Sequence, residues 1–379
     1  MRELLVAVAL WAAPAASSGE PPKRPLELDT HADTTQALTY SGVDITRAQP
    51  DLTLDLGKAA AGGLDAQFFS IFVLPMRFPP AQYYAESLHQ IDTLERVAKA
   101  NPTRLRMARH AAEVRANADA HVMSALLGVE GGHALLPGDQ KTQLEHLREL
   151  ARRGARYMTL TWATSNEIGG SSGDAGDIDG LTPFGRQVIK EMNRLGVIVD
   201  ISHVSDATFW DAIRATERPV LASHSSSRAL TNVPRNMTDA MLKAVAKNGG
   251  AVCVNFASAF LDDAFFAKEH AVWAKPHPTN PMEMWRQIRA DAAKISPQVP
   301  LARLVDHIEH VAKVAGIDHV CLGSDFDGVP ATPTGLEDVS KLPALRAALL
   351  ARGFSPADLE KITSGNVLRV LEANEPAAR

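Results

Sequence analysis

Five short stretches of the 379-residue chain each run through apolar residues and stop on a side chain able to bind a metal or move a proton. They are residues 26–33 (LELDTHAD), 125–130 (ALLGVE), 196–203 (GVIVDISH), 219–224 (PVLASH) and 319–325 (HVCLGSD). Apolar runs of this length suit strands buried on both faces, as in an all-parallel sheet. A chemically active residue at the carboxyl end of such a strand is where an α/β barrel keeps its functional groups. Side chains far apart in sequence would then meet at one mouth.

Three further runs, 68–74 (FFSIFVL), 157–162 (YMTLTW) and 251–256 (AVCVNF), bring the strand candidates to eight. Between them, residues 88–98, 143–153, 183–194, 206–215, 239–246 and 301–315 carry helical periodicity. Alternating strand and helix predicts parallel pairing through right-handed crossovers, and eight repeats predict closure into a (β/α)8, or TIM, barrel. Thr182 before Pro183 and Ser355 before Pro356 mark helix starts, as does Ser205 or Asp206 after His203. Two stretches break the rhythm. Residues 166–180 (NEIGGSSGDAGDIDG) read as a mobile lid on the active-site side, and residues 261–300 are too long for a plain connection and read as partly helical.

Arg2, the apolar run 4–13 and the small residues that follow have the layout of a secretory signal peptide, with cleavage expected near residues 15–18. The expectation is a signal over 1–18, a single barrel domain over 19–379, and a secreted or periplasmic location. The apolar run falls short of the roughly 20 residues a membrane span needs. A net charge of -5 gives no basic footprint for nucleic acid, and a homodimer is left open. Cys253 and Cys321 lie in apolar runs; they read as buried, inert thiols, with pairing open to them in an exported protein.

His31 and Asp33 alternate along one strand and so point the same way. His203 and His224 end consecutive strands and can each offer a ring nitrogen to an adjacent metal. Glu130 has two oxygens and is followed by Gly131 and Gly132, a placement from which a carboxylate can bridge two ions roughly 3.5 to 4 Å apart. Asp325 follows the last strand directly and is the stronger candidate for a catalytic carboxylate; Asp327 reads as a turn or cap. Arg235 reads equally as a surface arginine or as a bidentate partner for a substrate carboxylate.

The ordered series THAD, GVEGGH, TLTW, LTPFGR, VDISHVS, ASHSSSRAL, PRNMTD and GSDFDGVP resembles the membrane dipeptidase (renal dipeptidase) family of metallopeptidases, peptidase family M19. The resemblance runs from about residue 28 to 371. It implies a TIM barrel with two zinc ions, one on His31 and Asp33, the other on His203 and His224, with Glu130 bridging. It also implies that Asp325 is the acid–base residue and that Arg235 meets the carboxylate end of a dipeptide. On this reading a metal-bridging hydroxide attacks the peptide bond of short substrates, some with a C-terminal D-residue. The rival is another barrel metallohydrolase, of lactonase or deaminase type.

One position departs from the best-known members. They carry a carbonyl-polarising histidine after the T-L-T run, where this chain has Trp162, and an indole offers one N–H but no second ring nitrogen. Either zinc alone polarises the carbonyl, or Asn166 helps, or substrate preference has moved. His133 reads as a residue behind Glu130.

Overall fold

The computed structural model describes residues 24–376 apart from 175, 177 and 279, so the expected signal peptide lies outside the described residues. Nine strands form one parallel sheet: β1 Leu28–Ala32, β2 Ala66–Phe72, β3 Leu105–Met107, β4 Met123–Glu130, β5 Ala155–Thr159, β6 Ile198–Asp200, β7 Leu221–Ala222, β8 Ala251–Asn255 and β9 Val320–Gly323. Eight of them follow the order β1-β2-β4-β5-β6-β7-β8-β9, and β3 lies off this path, paired with β4. The ring closes where Ala32 bridges Phe326: Asp33 N donates to Phe326 O at 2.8 Å and Asp325 N to His31 O at 3.1 Å. Closure therefore runs through the two segments that carry His31, Asp33 and Asp325.

All eight expected strands are present. Their residues are buried on both faces because helices cover the outside while Leu28, Phe68, Leu126, Ile198 and Leu221 fill the interior. The last helix, Asn366–Asn374, packs Val367 and Leu371 against this interior cluster. Its Asn374 donates to Pro219 O, and Asn366 to Val320 O, both at strand starts, so this helix covers the end opposite the functional side chains.

The helix starts fall where the capping residues stand: Thr182, Ser205 and Ser355 accept from Gly185 N, Thr208 N and Asp358 N. At Gly196 the chain turns from helix Pro183–Leu195 into β6 with φ 73°, and a Cβ there would lie 2.7 Å from Asn374 O. Only glycine fits that approach.

Three expectations need correction. β3 was not among the candidates, because three residues carry too little pattern. β5 begins two residues before its expected start and ends at Thr159, short of Trp162. Cys253 and Cys321 are not free thiols: they are register partners on β8 and β9 and form a disulfide. The sequence conceals this pairing because 68 residues separate two side chains that parallel register sets side by side. The 261–300 segment holds helices Asp263–Trp273 and Pro281–Ala292, as its composition suggested.

Candidate metal centre

Each candidate ligand stands at the carboxyl end of its strand. His31 lies within β1 and Asp33 just beyond it, Glu130 is the last residue of β4, His203 and His224 follow β6 and β7, and Asp325 follows β9. His31 Nε2 is 3.3 Å from Glu130 Oε2, 3.7 Å from Asp33 Oδ1 and 4.0 Å from Asp325 Oδ1. On the other side, Glu130 Oε1 is 3.1 Å from His203 Nε2 and 3.7 Å from His224 Nε2. The two oxygens of Glu130 thus face two different donor sets.

These side chains are buried, His203 slightly less so than the rest, which strongly disfavours uncompensated charge. Burial, reinforced by Asp33, pushes the Glu130 carboxyl up to about 7, and burial also raises Asp325. Burial drives His203 and His224 well below the ordinary histidine value, which keeps both rings neutral and their lone pairs available. His31 Nε2, Asp33 Oδ1 and His203 Nδ1 have no hydrogen-bond partner among the described residues. Ligand atoms of His31, Glu130 and His224, and of His31, Asp33 and Asp325, lie within 4.8 Å of one another. Two neutral imidazoles, a third imidazole held among carboxylates, and buried polar atoms without partners are the donor set of a divalent metal centre.

Backbone geometry places the donors. His203 and Asp325 adopt φ 68° and 63°, a left-handed conformation that costs a non-glycine residue about 1–2 kcal/mol. The carbonyl of His203 is clamped by Ser172 N at 2.8 Å, Ser172 Oγ at 3.0 Å, and Ser171 Oγ and Thr161 Oγ1 at 3.2 Å. The loop expected as a mobile lid pairs with its own far end through a bridge from Gly169 to Leu181 and with the segment after β6 through one from Ser171 to Val204. Gly328 closes the other flank: a Cβ there would sit 2.3 Å from Asp325 Oδ1 and 2.7 Å from Asp33 Oδ2.

Asp325 is oriented by Asn255, whose Nδ2 donates to its Oδ2 at 3.0 Å. Sequence reasoning missed Asn255, although a polar residue closing the apolar strand AVCVN was a signal. Asp327 behaves as a turn residue, accepting from Thr34 Oγ1 at 2.7 Å and from Thr53 N at 2.7 Å. Arg235 lies at the mouth, donating to His224 O at 3.1 Å with its guanidinium 5.3 Å over the Phe260 ring. Burial lowers it to about 10, so it stays cationic at neutral pH. Trp162 packs on Phe72 at 4.8 Å between ring centroids, with the His203 ring at 6.5 Å.

Asn166, one alternative for polarising the carbonyl, and His133, read as standing behind Glu130, both face other partners. The Asn166 amide is spent on Leu160 O and Ile168 N, which shapes the loop. His133 faces Val73 O at 2.8 Å and packs edge-on against Tyr83; it is Ser70 that donates to Glu130, at 3.0 Å.

A closed parallel barrel with imidazoles and carboxylates converging at the carboxyl ends of its strands defines a barrel metallohydrolase. Residues 23–379 match the family model described as membrane dipeptidase (peptidase family M19), and the chain belongs to that family; it is a metallodipeptidase. It is 34% identical over 333 residues to dipeptidase tcpJ of Claviceps purpurea, covering 86% of this chain and 70% of that one. Among solved structures it is similar to dipeptidase AC, an M19 metallopeptidase, with 27% identity, TM-score 0.78 and coverage of 94% and 100% of the two chains. It is also similar to a Rhodobacter sphaeroides metallopeptidase liganded with a phosphinate mimic of L-Ala-D-Ala, with 26% identity, TM-score 0.77 and coverage of 93% and 100%.

Proposed function

We propose that this metallodipeptidase is a binuclear zinc enzyme that cleaves dipeptides bearing a free carboxylate and accepts a D-residue at the C-terminal position. The observation that carries the binuclear reading is the two-sided Glu130, with one oxygen toward His31 and the other toward His203 and His224. His31 and Asp33 would hold one ion and His203 and His224 the other, with Glu130 shared. Zinc bound in such a pair would supply Lewis acidity toward the peptide carbonyl and would lower the pKa of bound water to about 7.

The protein's own groups do the rest. Asp325, turned inward by Asn255, takes the proton of the attacking water and returns it to the leaving amine. Arg235 pairs with the substrate carboxylate. Trp162 and Phe72 form an apolar wall beside the reacting carbonyl and favour bulky side chains. Tolerance of a D-residue is supported by the ligand of the Rhodobacter relative. Export fits the leader-like residues 1–18 and the Cys253–Cys321 disulfide, a bond suited to an oxidising compartment.

Elemental analysis of the purified chain should find close to two zinc equivalents, and less than one after zinc supplementation would end the binuclear reading. Glu130→Gln should impair both positions together, whereas His31→Ala should chiefly weaken one. A dipeptide panel varied in chirality at the second residue tests the substrate. Zinc-loaded protein that cleaves none of them would instead point to a lactone or deaminase substrate.

A further inference from the structure

His224 is the last in a line of buried groups that begins at Asp200, the final residue of β6. Asp200 Oδ1 accepts from Ser202 N and Ser223 N, both at 3.0 Å, and Oδ2 accepts from Thr159 Oγ1 at 2.9 Å and Ser223 Oγ at 2.5 Å. All four are donated to the carboxylate, which as an ion has no proton to give. The single Ser223 hydroxyl proton is therefore committed to Asp200. Ser223 Oγ also lies 2.7 Å from His224 Nδ1, and with its proton spent it can only accept there. The imidazole must then carry its proton on Nδ1 and keep its lone pair on Nε2, the atom 3.7 Å from Glu130 Oε1 and 2.9 Å from His203 Nε2.

We propose that Asp200 and Ser223 are positioning residues that act in series to fix His224 as an Nε2 ligand and to strengthen that nitrogen as a donor. The inference rests on the metal-centre reading above. A hydrogen-bonded carboxylate behind a ligating histidine sets its tautomer and raises its basicity, and here a serine hydroxyl relays the effect between two strands. The line is rigid at both ends. The backbone N–H of His224 donates to Ser202 Oγ at 3.0 Å, and Ser223 O accepts from Thr30 Oγ1 at 2.5 Å. Any side chain at position 323 would collide with that same carbonyl, since a Cβ there would lie 1.9 Å from Ser223 O. His203 has no such arrangement, because its Nδ1 lacks a partner among the described residues.

Two measurements on the full chain test this. In the metal-free protein, long-range ¹H–¹⁵N NMR, with His224 assigned by comparison with His224→Gln, should report the Nδ1–H tautomer. Zinc titration against a chromophoric chelator should resolve two equivalents in wild type. In Ser223→Ala and Asp200→Asn, one equivalent should weaken by about 10- to 100-fold while the other stays within about twofold. An Nε2–H tautomer at His224 would overturn the proposal, as would equal weakening of both equivalents, or of neither, in Ser223→Ala. Wild type that binds fewer than two equivalents would count against the binuclear reading, while the tautomer measurement still decides the role of Ser223 and Asp200.

Discussion

The Tyr157 hydroxyl stands 2.7 Å from His31 Nδ1 and donates its own proton to the Thr30 carbonyl at 3.1 Å, so it can only accept from the imidazole. His31 is thereby set with its Nε2 toward Glu130, 3.3 Å from Oε2. Space for the phenol comes from Gly128 on the neighbouring strand, where a Cβ would lie 1.9 Å from the Tyr157 ring.

Tyr157→Phe keeps the ring and removes that constraint. Two buried polar groups lose a partner, which should lower stability by about 1–3 kcal/mol. Metal affinity at the His31 position should fall by about tenfold or more. Thermal unfolding and chelator titration together check this; a variant with unaltered zinc affinity would show that the phenol does not orient His31.

Asp325 and Asp327 should separate by phenotype although they are two residues apart. Asp325→Asn should retain metal and fold while turnover drops by roughly 10² or more, as for loss of an acid–base group. Asp327 accepts from Thr34, Thr53 and, at 3.3 Å, Arg289, so Asp327→Asn should lower the melting temperature and affect turnover far less. Near-normal turnover in metal-loaded Asp325→Asn would remove it from the chemistry.

Trp162 should govern substrate choice. Trp162→Ala should mainly raise KM for bulky dipeptides, the signature of lost uniform binding. Trp162→His should extend activity toward small ones. Steady-state kinetics on a small and a bulky dipeptide decide, and unchanged KM for both in Trp162→Ala would place the indole outside the substrate site.

Glu269, on helix Asp263–Trp273, gives the stability a pH dependence. Burial raises its carboxyl from 4.5 to about 7, with only a 3.3 Å hydrogen bond from Trp273 to offset it. Below about pH 4.5 folded and unfolded chains both hold the proton, so the group is neutral in its effect. Between about 4.5 and 7 only the folded state holds it, and stability falls as pH rises, on the order of 3 kcal/mol in all. Glu269→Gln should be more stable than wild type at pH 8 and lose that advantage toward pH 4.5, as read by denaturant unfolding across the range.

The barrel and most of its site were legible because they rest on local pattern. Each apolar run carried its functional residue at or just past its carboxyl end, as with Glu130 closing β4 and Asp325 just beyond β9, and the motif series ran along nearly the whole chain. Three-residue β3 lacked enough pattern to register, and Trp162 looked like strand because its apolar, β-prone neighbours did not reveal where pairing stops.

The sequence by itself determined the fold class, the order of the strands and the identity of the metal-ligand candidates, since hydrophobic periodicity and residue chemistry are properties of short segments. Tertiary structure alone decided which groups stand behind them: Tyr157 behind His31, Ser223 and Asp200 behind His224, Asn255 behind Asp325, and Cys253 against Cys321. It also set Ser171 and Ser172, in the loop expected as a mobile lid, against the His203 carbonyl. These relationships depend on the register between strands and on left-handed turns at their ends. They arise only when segments far apart in sequence are closed into one ring, so no local pattern could encode them.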